Sequence, residues 1–110
     1  MDNYQVNAQQ LRALGHPVRL ALVDVLRSGE CHVSDLQQQL RRQQPCISQH
    51  LRVLNDAGLV SRSREGTHIY YQLTNPAMIE QICSALGLNC RSEMHDVPTN
   101  VSTQAAMKEG

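Results

Sequence analysis

The sequence predicts a mainly α-helical fold that carries a β-hairpin wing. Three observations lead there. Apolar residues recur at helical spacing in five stretches between Ala8 and Leu86. Two of these, one running to about Arg42 and the next starting near Pro45, are joined by a very short link, which suits a helix-turn-helix. The pattern then switches to alternation on both sides of the turn Glu65-Gly66-Thr67-His68.

Residues Ala8 to Leu14 form the first short helix, closed by Gly15. His16-Pro17 opens the second, since proline is tolerated at the first helical position. Val18, Leu22, Val25 and Leu26 give that helix an apolar stripe, and Gly29 ends it. Ser34-Asp35-Leu36-Gln37 matches a capping box, with Ser34 as N-cap and Gln37 reaching back. The third helix runs to about Arg42, with Val33, Leu36 and Leu40 inward. The fourth starts near Pro45 and ends before Gly58. Leu59 to Arg64 reads as one strand and Ile69 to Leu73 as a second, with Ile69, Tyr71 and Leu73 on one face. Asn75-Pro76 caps and opens a fifth helix that carries Met78, Ile79, Ile82, Cys83 and Leu86 inward. Residues 1–90 thus form one domain; residues 91–110 are polar and aperiodic, and a mobile tail is expected there.

The fourth helix is the most informative segment. Ile47, Leu51 and Leu54 follow i, i+4, i+7 spacing and point to a core. Ser48, Arg52 and Asn55 fall on the other side, with Gln49 beside them. A helix that shows hydrogen-bonding side chains and a cation outward suits a DNA major groove. Arg62 and Arg64 share one face of the first wing strand.

At 110 residues the chain favours a single domain. Hydrophobic residues make up 41% but aromatics only 3%, so Leu, Val, Ile and Ala must fill the core. Such a core is marginal, and pairing with a second copy would bury more surface. No run of about 18 apolar residues occurs, so no membrane span is expected. The start, Met1-Asp2-Asn3-Tyr4, has neither a basic nor an apolar signal region, so a cytoplasmic location is expected. The formal net charge is zero, but unevenly spread. Five arginines and one acid lie between Arg41 and Arg64, while four acids and two bases follow Asn75, which fits a local phosphate-binding surface.

Four stretches in order carry a family likeness: Leu14-Gly15-His16-Pro17-Val18-Arg19-Leu20, Ser48-Gln49-His50-Leu51-Arg52-Val53-Leu54, Ala57-Gly58-Leu59-Val60, and Arg64-Glu65-Gly66 through Tyr70-Tyr71-Gln72-Leu73. Over roughly residues 8 to 90 the chain resembles the ArsR/SmtB family of bacterial winged-helix repressors. That resemblance implies a winged helix-turn-helix that forms a homodimer through its first and last helices. It also implies recognition helices in adjacent major grooves of an imperfect palindrome in double-stranded DNA, wings on the flanking DNA, and release by an effector. The residues expected to touch DNA are Gln44, Ser48, Gln49 and Arg52 of the fourth helix. Gln pairs bidentately with adenine and Arg with guanine. His50 lies beside the apolar stripe, where packing and a phosphate contact are both open. Arg62, Arg64, Thr67 and His68 are expected on phosphate or in the minor groove.

The effector is written around the cysteines Cys31, Cys46, Cys83 and Cys90. In a cytosolic protein these suggest metal binding, redox chemistry or burial before structural disulfides. Metal-sensing relatives carry a cysteine box at the start of the third helix, where this chain has Glu30-Cys31-His32-Val33-Ser34-Asp35-Leu36. His32 and Ser34 replace the two cysteines, and Cys31 sits one position earlier. Cys90 falls where sulfide- and redox-responsive relatives have a cysteine, but their second thiol position is Asp24 here. Cys31, His32, Met94, His95 and Asp96 across a dimer would offer a soft metal site. Release by a metal or metalloid ion is the leading expectation, a thiol switch of Cys31 with Cys90 the alternative, and sensing without any cysteine the third. Cys46 and Cys83 read first as packing residues, with Cys83 also a sensing candidate beside Cys31, His32, Cys90 and His95.

Two other function classes have less support in the sequence. An enzyme has little support, because no nucleophile–base motif, phosphate loop or HExxH box occurs. A winged-helix module that binds protein instead of DNA would not need the polar, arginine-bearing helix face.

Overall fold

The computed structural model describes residues 2–88. The elements run α1 (Asp2–Leu14), α2 (Pro17–Leu26), β1 (Cys31–His32), α3 (Val33–Leu40), α4 (Gln44–Asp56), β2 (Val60–Glu65), β3 (His68–Leu73) and α5 (Pro76–Ala85). This is the expected helical domain with a wing, and the tail from residue 91, with Cys90 and His95, lies outside the described residues.

Four expectations need correction. α1 starts at Asp2, not Ala8. Its first turns carry exposed Tyr4 and Val6, so no inward stripe announces them. The wing sheet has three antiparallel strands in the order β1-β3-β2, where two were expected. β1 is two residues long, pairing Cys31 with Tyr71 and His32 with Tyr70. So short a strand shows no alternation to read. The N-cap of α3 is His32, not Ser34: the His32 ring accepts the Ser34 backbone N–H. Leu86 is 58% exposed, because it is the C-cap residue of α5 and lies past the last inward turn.

The core gathers Leu22 and Leu26 from α2, Leu36 from α3, Ile47, Leu51 and Leu54 from α4, and Leu59 beyond it, all essentially inaccessible to solvent. Each such side chain contributes roughly 1.5–3 kcal/mol through removal from water. Ile79 and Cys83 bring α5 onto the same cluster.

The ends of α4 are set separately. Pro45 lies in its first turn, where a missing N–H costs nothing. At its other end Leu59 N–H donates to Leu54 O at 2.9 Å and Gly58 N–H to Asn55 O at 3.0 Å. This Schellman arrangement needs a left-handed residue, which Gly58 supplies at φ 79°. It turns the chain straight into β2, and Asn55 Nδ2 donates to Val60 O at 3.0 Å across the corner. β2 and β3 meet at Gly66-Thr67, with Glu65 opposite His68. The positive φ of Gly66 fits a two-residue hairpin with glycine first.

α5 is tied to α2 through Arg27. Its Nε and Nη2 donate to the two carboxylate oxygens of Glu80 at 3.1 and 2.8 Å, and its Nη1 donates to Asp24 at 2.8 Å. The Arg27 hydrogen bonds hold the Glu80 carboxyl below its usual range. A depressed carboxyl stabilises the fold above the ordinary glutamate pKa and loses that contribution as pH falls through the lower folded value. Wild type should therefore unfold at higher denaturant than Glu80→Gln at pH 7, and the two midpoints should converge as pH falls below the ordinary glutamate range. Urea melts across that range would check it.

Candidate nucleic-acid interface

Burial of Ile47, Leu51 and Leu54 fixes how α4 presents its other side chains. At 100° per residue, Gln49 and Arg52 point directly away from the core, and both are exposed. Gln44, Ser48 and Asn55 lie on the flank that faces α3 and the wing. Cys46, His50 and Val53 lie on the other flank and are partly buried.

On the wing side, α3, α4 and the sheet enclose an open cleft of about 640 Å³. Ser48 and Arg52 line it from the helix, Arg62 and Thr67 from the wing, and His32 and Ser34 from the start of α3. Sequence reasoning had placed four of these on DNA separately; the fold brings them to one concave surface. Gln44 Nε2 donates to Ser48 Oγ at 2.6 Å, so these two side chains are held together along α4. Arg64 sits apart, its Nε donating to Gly66 O at 3.0 Å within the hairpin turn.

His32 is the joint of this surface, a role that its sequence position did not reveal. Its Nδ1 accepts the Ser34 N–H at 3.0 Å and stands 2.7 Å from Ser34 Oγ. Nδ1 is therefore unprotonated, and Nε2 carries the hydrogen. Nε2 donates to Nδ1 of His68, 3.0 Å away on the wing. The His32 and Tyr70 rings also meet in a T-shaped pair at a centroid distance of 5.2 Å. One imidazole thus caps the helix ahead of α4 and props the wing. Both its ring nitrogens are engaged, and His68 faces His32.

On the other flank, the His50 ring lies 4.4 Å from that of His16. His16 is itself the N-cap of α2, its Nδ1 accepting the Val18 N–H at 3.1 Å. Burial pushes His50 below the usual histidine range, and the nearby cationic groups His16, Arg19 and Arg42 push it the same way.

The thiols divide. Cys83 is fully buried, and burial raises its pKa, so it stays a thiol. Cys46 is partly buried on its flank. Cys31 is partly buried on β1, and its Sγ–H donates to Gly29 O at 3.4 Å. Among the described residues no three His, Cys, Asp or Glu side chains come together to hold a metal ion.

Comparison with known proteins places the chain among bacterial regulatory proteins. Residues 16–62 match the model of a family described as bacterial regulatory protein, arsR family. The biofilm growth-associated repressor of Xylella fastidiosa is 38% identical over 86 residues, covering 78% of this chain and 75% of that one. The HTH-type transcriptional repressor SmtB of Mycobacterium tuberculosis is 38% identical over 76 residues, covering 69% and 56%. Among solved structures, the transcriptional repressor BigR from Xylella fastidiosa superposes with TM-score 0.70 at 36% identity, over 81% of this chain and 91% of that one. HlyU from Vibrio cholerae gives TM-score 0.70 at 31% identity, over 76% and 94%.

The capping role of His32 makes a specific prediction. His32→Ala should cost about 0.5–2 kcal/mol of stability, and His32→Asn should recover most of it, because asparagine caps equally well. Denaturant melts of the three proteins measure this. Equal melts for His32→Ala and wild type would remove the cap from the account.

Proposed function

This chain belongs to the arsR family of bacterial regulatory proteins, and from that membership and the cleft we propose that it represses transcription as a homodimer on an imperfect palindromic operator. The observation that carries the reading is the placing of Ser48, Arg52, Arg62 and Thr67 on one concave surface. Gln49 and Arg52 read base edges in the major groove, with Gln44 and Ser48 beside them. Arg62, Arg64, Thr67 and His68 fix the wing on backbone or minor groove, which sets register more than sequence.

The dimer reading rests on exposed apolar surface. Tyr4, Val6 and Leu11 of α1 are 75%, 51% and 63% exposed. Leu11 and Leu14 also line a groove of about 330 Å³ with Met78 and Ile82 of α5. A symmetric pair joined through α1 and α5 covers this face and sets two copies of α4 side by side.

Release is assigned to thiol chemistry at Cys31. β1 pairs with β3 of the wing, and its next residue caps α3, so a change at the Cys31 sulfur reaches both DNA-facing elements. Cys90 and the donors Met94, His95 and Asp96 of the expected soft-metal site lie outside the described residues.

Two predictions follow from these roles. Arg52→Ala should weaken operator binding by about 1–3 kcal/mol and relax the preference at one base position. Fluorescence anisotropy on operator duplexes with single-base changes reads both effects, and unchanged affinity and preference would remove α4 as the reader. For release, wild type should lose operator affinity on treatment with peroxide or persulfide and regain it with reductant, while Cys31→Ser stays bound. A Cys31→Ser protein that responds like wild type would clear Cys31 of the role; loss caused by a soft metal ion and reversed by chelator would replace oxidation with metal sensing.

A further inference from the structure

The flank of α4 turned away from the wing carries its own charge pattern. His50 on α4 and His16 at the start of α2 stack at 4.4 Å. The charged groups that act on His50 are His16 and Arg19 from α2 and Arg42 from the link before α4, all cationic or able to become so. Arg19 Nε is buried and has no hydrogen-bond partner among the described residues. Asp56, which lines a groove with Arg12 and Arg19, is six residues beyond His50, about 9 Å further along the helix axis.

A helix in the major groove has a backbone on each side. The groove is about 12 Å wide and a helix with its side chains about 10–12 Å across, so both flanks of the helix come close to phosphates. The wing serves the flank that carries Ser48. We propose that His16, Arg19, Arg42 and His50 form a second phosphate-binding shelf, which grips the DNA backbone on the opposite flank of α4. The proposal rests on the DNA-binding reading above and adds a site to it. Guanidinium groups supply charge-assisted hydrogen bonds to phosphate oxygens. Burial and the neighbouring cationic groups disfavour the protonated form of the His50 imidazole in the free protein, and an arriving phosphate favours it. A shelf of this kind adds affinity without sequence preference, because phosphates carry no base identity. Seated on both backbones, α4 cannot roll about its axis, and Gln49 and Arg52 stay aimed at the base edges.

The test uses the full chain, a duplex from the region upstream of its own gene and an unrelated duplex, with binding measured by anisotropy over a range of salt concentrations. Arg42→Gln and Arg19→Gln should each weaken both duplexes by the same factor, leave the specificity ratio unchanged, and reduce the salt slope by about one. Arg42 is exposed, so its replacement leaves the core intact even if Arg19→Gln fails to fold. NMR should show the titration midpoint of His50 moving upward on addition of DNA. Wild-type affinity and slope in Arg42→Gln, with an unmoved His50 midpoint, would overturn the shelf while the repressor reading stands. Absence of salt-dependent binding by wild type would overturn both.

Discussion

The complete burial of Ile47, Leu51 and Leu54 is the constraint on which the proposed DNA-facing surface depends. Those three side chains lock the rotation of α4 about its own axis. Once they are inside, Gln49 and Arg52 have one direction available, and Ser48 and His50 are divided between two flanks. A change in the core that let α4 roll would re-aim every outward side chain together. The proposed reading surface is therefore a product of packing first and of polar chemistry second. Close-packed interiors resist small rotations, which is why three buried aliphatic side chains can hold an exposed face in register.

The surroundings of α4 are tied to it by short polar links more than by large contacts. Asn55 joins its end to β2, and the Schellman turn at Gly58 sets the angle at which the wing leaves. His32 links the beginning of α3 to His68 near the hairpin tip. Arg27 joins α2 to α5, away from the proposed DNA-facing surface. Cys31 stands beside His32, between the wing and α3, so a modest change in one short strand has two routes to the reading surface. In the proposed dimer, α1 and α5 set the spacing of two such surfaces, and the helix-turn-helix core sets the aim of each.

Much of this was legible in the residues. The stripes of α2, α4 and α5 appeared at helical spacing because each helix buries a single face. The hairpin appeared because Gly66 interrupts an alternating run. What escaped was local or long-range. β1 has too few residues for any period. Ser34-x-x-Gln37 satisfied the capping-box pattern, yet the cap is His32, whose ring reaches Ser34 N–H because residue 32 is the one with extended backbone at the helix entrance. The start of α1 lacks an inward stripe since its apolar side chains face outward. The candidate contacts on α4 were readable as a face, but their meeting with Arg62 and Thr67 in one cleft depends on the fold of the wing. The two histidine pairs join residues 34 and 36 positions apart, and no spacing rule connects them.

The central claim is that α4 occupies the major groove with two copies side by side. Hydroxyl-radical and methylation-protection footprinting on the DNA upstream of the chain's own gene tests it most directly. The account predicts two half-sites related by an imperfect palindrome, spaced by about one helical turn of 10–10.5 base pairs or a multiple of it, with guanine N7 protected in each. Protection confined to the minor groove, a single half-site at saturation, or no protected region would contradict it.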